Sequence, residues 1–453
     1  MGKVINDGLL LFYGCIFFLF IPWNTDAAAA EVTVESDMNL QEMIDHAEPG
    51  DTLNIQEGLY RGSITISKPI TLVAQNGAII DGRGNGNVIT IASDGVVIKG
   101  FTIQNSGKDK DNSGILLKEV KDVVIDSNHI SNVLFGIYSE KSSNNIIKNN
   151  DIESFDTHFS KRGNGIHLYY GHGNFIGNNR IKNVQDGIYF DSNSKSNIQN
   201  NTVEDSRYGF HFMFSEDISA EENDIQKNVT GFMIMDSKNL QFNRNQITDQ
   251  FHFRGFGILI YDSSNIVIEE NEIRQNSSGL YFENAEQTHI RQNLIAANQV
   301  GIEFKGDNID NVLTENNFIG NVVQSKIADK DILLNGQQKG NYWDDYSSYD
   351  LTGDGIGEIP YKAGSIYDQI LKSHPYWQFY FESPAIKIWS KAESMFPSIG
   401  TANVYDEKPL TLPVHFEKEK KNQKEKSKLS LLIYGLILTS SSVFILLKGK
   451  RME

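Results

Sequence analysis

One column of glycines paces the middle of this chain. A Gly–apolar pair recurs at Gly114-Ile115, Gly136-Ile137, Gly165-Ile166, Gly187-Ile188, Gly209-Phe210, Gly231-Phe232, Gly257-Ile258, Gly279-Leu280 and Gly301-Ile302. Successive steps are 22, 29, 22, 22, 22, 26, 22 and 22 residues. A second column, Asn-x-Ile/Val, stands fourteen residues after eight of these glycines, at Asn128, Asn150, Asn179, Asn201, Asn223, Asn245, Asn271 and Asn293. Two columns with matching steps define a repeat, and a period of this length means a solenoid. The first and third positions after each glycine are mostly apolar, as in Ile166 and Leu168, Phe210 and Phe212, Phe232 and Ile234, and Ile258 and Ile260. That period of two predicts short strands with one buried face. No helical period or leucine-rich consensus accompanies it, which excludes a leucine-rich horseshoe. One coil cannot bury its apolar face alone, so the coils stack into a parallel β-helix. The asparagines are expected at one corner, bonding backbone and tolerating left-handed conformations.

The solenoid starts upstream of the clean ladder. Leu40 to Ala47 reads as a short helix, which would cap the open end of the stack. Pro49-Gly50-Asp51-Thr52 then turns the chain into strands such as Ser63–Ile66 and Ile70–Val73. The ladder ends near Asn317-Phe318-Ile319, and an aromatic-rich segment follows. The expected class is all-β, with this N-terminal helical cap and a C-terminal transmembrane helix.

Two apolar runs set the address. Lys3 precedes the run Leu9 to Pro22, and Ala27-Ala28-Ala29-Ala30 supplies a small-residue cleavage site, the pattern of a secretory signal peptide. Leu429 to Leu447 is 19 residues without a charge, long enough to span a bilayer. Lys448, Lys450 and Arg451 follow it, but six lysines also precede it in Glu417–Lys428, so charge alone does not orient the span. The signal peptide decides: the body is exported, and a single span anchors it to the membrane with the C-terminus cytoplasmic. The expected division is 1–30 signal peptide, 31–339 β-helix with its cap, 340–413 closing region, 414–428 charged tether and 429–447 anchor.

With 41 Lys and Arg against 58 Asp and Glu, the net charge of −17 argues against a nucleic-acid partner, which needs a basic stripe. The one cysteine, Cys15, lies in the N-terminal apolar run. Disulfide scaffolds, zinc ribbons, iron–sulfur sites and cysteine nucleophiles therefore drop out.

Side chains two and four residues past each glycine should leave the outer face of one sheet. His167, Tyr189, His211 and Met233 are successive members of the first row, and Tyr169, Asp191, Met213 and Met235 of the second. Coils stack about 4.8 Å apart and alternate residues of a strand lie about 6.6 Å apart. His211, Met213, Met233 and Met235 then form one compact patch, with His167 two coils away. Thioether and imidazole without thiol suit a soft ion such as Cu(I). The competing reading is flexible apolar packing against a loop or partner. Two longer coils carry insertions at one corner, seven residues between Asn150 and Gly165 and four between Asn245 and Gly257. They bring His158, Arg162, His252 and Arg254, and are expected to project beside the patch.

Parallel β-helices that modify acidic polysaccharides need clustered carboxylates or a base with a neutralising partner. The outer face offers Asp191, Glu283 and Glu303, scattered over several coils. Further on, Asp350, Thr352 and Asp354 stand at alternate positions among glycines, which resembles the first half of a calcium loop. The alternative there is an aromatic turn closing the solenoid.

Lys68-Pro69-Ile70-Thr71-Leu72 and Ile80-Asp81-Gly82, after the helical cap, resemble the carbohydrate-binding and sugar-hydrolase type of right-handed β-helix. Arg207-Tyr208-Gly209-Phe210-His211-Phe212-Met213-Phe214-Ser215 and the segment Gly340 to Tyr361 resemble more specifically the NosD family. Ser383-Pro384-Ala385, Lys391-Ala392-Glu393 and Phe396-Pro397 extend the resemblance, which covers Glu31 to Pro397. It implies an exported, non-enzymatic partner of an ABC-type permease and ATPase. Such a protein would serve assembly of the copper–sulfide centre of nitrous oxide reductase, with a copper chaperone as donor. The C-terminal anchor departs from the soluble periplasmic form of that family.

Overall fold

The computed structural model describes residues 29–250, 252, 255–327, 332–362, 377, 380, 383–395 and 404–415. The expected leader, Arg254, most of the tether and the charge-free run 429–447 lie outside these. Among the described residues no helix is long and apolar enough to cross a membrane.

Three parallel sheets run along a right-handed β-helix of about 22 residues per turn. The first has 13 strands, from Glu31–Val34 to Val312–Thr314. The second has 13, from Gly58–Arg61 to Tyr342–Trp343, and the third has 12, from Ile64–Ile66 to Val323–Ile327. The glycine column opens the strands of the third sheet. Ile166, Leu168, Phe210, Phe212, Phe232, Ile234, Ile258 and Ile260 are all fully buried, as their alternation predicts. Identical positions stack from coil to coil: Phe210 lies on Phe232 at 5.0 Å, and Phe190 on Phe212 at 5.1 Å. The glycines are required by close approach. A Cβ on Gly209 would sit 2.4 Å from Ile225 Cγ2 and 2.7 Å from the Gly231 carbonyl oxygen.

The asparagine column forms a buried hydrogen-bond ladder between the first and second sheets. Asn201 donates its backbone N–H to Asn223 Oδ1 at 2.9 Å, and its amide to the same oxygen and to the Ile176 carbonyl. The left-handed residue is not the ladder asparagine but the one before it. Ser127, Asn149, Asn178, Asn200, Glu222, Arg244, Glu270 and Gln292 all have φ near +55°. The ladder asparagine itself reaches across to the next coil, which the turn made by its predecessor allows. The other two corners have ladders of their own, through Asn228, Gln250, Asn276 and Asn298, and through Ser215, Ser237 and Ser263.

Both ends are closed. The helix Leu40–His46, capped by Asn39, buries Leu40 and Ile44 over the first coil. At the far end Trp343 stacks on Phe318 at 4.1 Å and on Tyr361 at 4.6 Å, and its indole N–H donates to Asp406. Asn341 continues the asparagine ladder by accepting from Asn316.

Candidate metal centre

The third sheet sets His211 opposite Met233 and Met213 opposite Met235, on the adjacent strands Tyr208–Met213 and Thr230–Met235. Toward the N-terminal end, the same register aligns His167 with Tyr189 and Tyr189 with His211. The three methionines are half-buried. His211 differs from the expected surface ligand, being only 7% exposed although it leaves the outer face. Tyr189 stacks on its ring at 4.4 Å and Tyr208 meets it edge-on at 5.1 Å, so aromatic neighbours cover it.

Its hydrogen bonding is asymmetric. His211 Nδ1 lies 3.0 Å from Oδ2 of the buried Asp186, whose carboxylate also receives Arg207 through Nε at 2.8 Å and Nη2 at 2.6 Å. Burial raises the Asp186 carboxyl, but the hydrogen bonds from His211 and Arg207 outweigh it and hold it below the usual range. The carboxylate takes the His211 Nδ1–H, leaving Nε2 with its lone pair. That nitrogen is buried and has no hydrogen-bond partner. A histidine oriented by a carboxylate on one nitrogen, with the other free, has the arrangement that metal-ligating histidines use.

His167 is set up differently. Asn164 accepts the Asp186 backbone N–H through Oδ1, which turns its amide NH2 toward His167 Nδ1 at 3.3 Å. His167 Nδ1 is therefore the acceptor and its proton sits on the buried, unpartnered Nε2. Burial pushes this imidazole down to about 4, against the attraction of Asp186. Register brings the two histidines to one face, but their Nε2 atoms are opposite in kind, a lone pair on His211 and a proton on His167.

The carboxylates of Asp350 and Asp354, in the segment read as half a calcium loop with Thr352, are engaged by the loop's own backbone. Both Asp350 oxygens accept backbone N–H groups, from Gly353 at 2.7 Å and Gly355 at 2.9 Å, and Asp354 accepts from Ile356. The loop is a self-bonded turn. Among the described residues no group of three or more His, Asp or Glu side chains is arranged to hold a metal.

The two insertions do share a corner, between the second and third sheets. His158, Phe159, Arg162 and His252 border a cleft of about 740 Å³, floored by coils that carry Asp205, Lys227 and Asp249. This cleft flanks the His/Met patch without covering it, because no patch residue lines it. Of the scattered acids, Glu283 is tied to Lys305 at 2.8 Å and Glu303 to Lys326 at 2.6 Å. Sequence reasoning missed Asp186 and Arg207. The signal was an acid just before one column glycine and a base two residues before the next.

Fold and site together define a class: a β-helical protein whose distinctive chemistry is imidazole and thioether on one outer sheet face. A family model described as "Periplasmic copper-binding protein (NosD)" matches residues 152–348. A Pseudomonas aeruginosa protein named "Probable ABC transporter binding protein NosD" is 34% identical over 376 residues, covering 79% of this chain and 87% of its own. Its Stutzerimonas stutzeri namesake is 32% identical over 373 residues, covering 78% and 85%. This chain belongs to the NosD family. The A-module of the mannuronan C-5 epimerase AlgE6 from Azotobacter vinelandii shares the fold alone. Its TM-score is 0.54 at 15% identity, over 64% of this chain and 90% of that one.

Proposed function

We propose that this protein is an exported accessory factor that receives Cu(I) as cargo on the outer face of the third sheet and passes it on. His211, Met213, Met233 and Met235 take the ion; His167, the relay position that register suggests, would take part only after moving its proton from Nε2. The protein works with an ABC-type permease and ATPase, accepts copper from a chaperone, and serves assembly of the copper–sulfide centre of nitrous oxide reductase. The relatives' names support the transporter association and the family description supports copper. The observation that carries the site is the His211 Nε2 atom, buried and unpartnered beside thioethers. Burying a polar atom without a partner is costly, and a metal ion would supply the partner that Nε2 lacks. The paired state of Glu283 and Glu303 weighs against polysaccharide chemistry on this face.

In the same reading residues 1–30 are removed on export, the β-helix with its closing region forms the body, and 429–447 anchors it by one span. Anaerobic titration of the protein with Cu(I) against a competing chelator tests the site. One equivalent should bind, and His211→Gln should abolish it. Binding that ignores His211, or no binding, overturns the proposal.

A further inference from the structure

We infer that Asp186 is a positioning residue whose carboxylate keeps His211 in the tautomer able to ligate a soft metal, and that this carboxylate fixes the tautomer of His211 alone of the two histidines on this face. The inference rests on the copper reading above. Asp186 stands on the coil before His211, immediately ahead of Gly187, and is 1% exposed. Its side chain and backbone serve different imidazoles. The carboxylate accepts the His211 Nδ1–H, which frees Nε2. The backbone N–H fixes the Asn164 amide, which holds His167 with its proton on Nε2. A neutral imidazole binds metal only through its unprotonated nitrogen. His211 thus meets the ion with a lone pair, whereas His167 meets it with a proton.

Arg207 makes this stable. A buried carboxylate facing only a neutral imidazole would be poorly compensated. The two guanidinium bonds to Asp186 supply the charge, and Arg207 rests over the Tyr208 ring at 4.4 Å. The Arg207 side chain is 31% exposed, so it has a route to water if its partner is removed.

The test uses two variants of the full chain, Asp186→Asn and the double variant Asp186→Ala with Arg207→Ala. The double variant removes the buried pair as a unit and leaves no uncompensated charge. The first readout is the nitrogen-15 spectrum of the copper-free protein, which separates protonated from unprotonated ring nitrogens. In the wild type His211 should carry its proton on Nδ1 and His167 on Nε2. In the double variant His211 should lose that preference while His167 stays unchanged, because Asn164 is held by backbone. The second readout is Cu(I) competition, where loss of such an orienting partner should weaken binding roughly 10- to 100-fold. A wild type with both histidines in one tautomer overturns the inference. So does a double variant whose His211 signal and Cu(I) affinity match the wild type, provided His211→Gln abolishes binding. If wild-type binding ignores His211, the copper site itself fails and the nitrogen spectrum still judges the tautomers. Movement of both histidine signals would mark a collapse of the face; Asp186→Asn then decides, and wild-type affinity in that variant overturns the inference.

Discussion

Tyr189 donates its hydroxyl to the Met213 sulfur at 3.2 Å while its ring lies on His211. One side chain therefore restrains two of the candidate ligands. Burial, with Asp191 adding to it, keeps the phenol protonated far above neutral pH, so the donor is always present. A thioether that accepts a hydrogen bond must give it up to turn that lone pair to a metal. Tyr189→Phe keeps the stack and removes the competing bond, which is worth about 0.5–1.5 kcal/mol. Cu(I) affinity should rise by roughly 2- to 10-fold in a chelator competition.

Replacing Met213 and Met235 by leucine conserves volume and apolarity. The unfolding free energy should change by less than about 1.5 kcal/mol, read from denaturant titration. Cu(I) binding should nevertheless fall, and so should copper loading of the reductase in cells. Full binding and full loading in this variant would mean that the methionines are packing or docking surface.

The asparagine ladder is a stability element with a measurable weight. Asn201→Ala removes the acceptor of the Asn179 backbone and amide donors and the donor to Ile176. Leaving such buried groups unpaired costs roughly 2–4 kcal/mol. Lys121→Ala, which removes an exposed ion pair with Asp94, should cost well under 1 kcal/mol. Comparing the urea midpoints of the two variants checks the contrast.

His167 makes stability depend on pH in a defined direction. The unfolded chain protonates this residue near pH 6.5, whereas the folded protein, because of burial, resists until about pH 4. Its contribution is therefore intact above about pH 6.5 and is lost as the pH falls through that window. The loss is on the order of 2–3 kcal/mol by pH 4. His167→Phe keeps the aromatic row and should flatten this part of the stability profile. An unchanged slope would show that other groups dominate it.

Truncation before Ser427 tests the anchor. The apolar core of the β-helix closes at Trp343 and Tyr361, so the shortened chain should leave the membrane fraction and still melt cooperatively. A truncated protein that stays on the membrane, or that no longer folds, would contradict a single C-terminal span.

The glycine and asparagine columns were readable because each does one geometrical task that one residue type does best. Gly209 has no room for a Cβ, and Asn201 needs both an acceptor and a donor. Where several residues serve equally, the period left little trace. The left-handed position before each ladder asparagine is filled by Ser127, Asn149, Glu222 and Arg244 in turn. The third-corner ladder passes from Asn193 to Ser215 without losing its hydrogen bond. Asp186 stayed hidden for a different reason. Its column also holds Phe135, Asn164, Tyr208 and Thr230, so a single acid there looked like noise until the fold brought Arg207 and His211 to it.

The strand that carries His211 lies five strand spacings from the last strand of the third sheet. At about 4.8 Å each, that sets the histidine some 24 Å from the closed C-terminal end. Because the coils from Gly209 to Gly301 grip their neighbours through the same glycine and the same asparagine, inserting or deleting one 22-residue coil on that side would change this height by about 5 Å while leaving the patch intact. The solenoid thus behaves as a graduated stem. Its gene can adjust the stand-off between a delivery point and its base by duplication, one unit at a time, without redesigning either end.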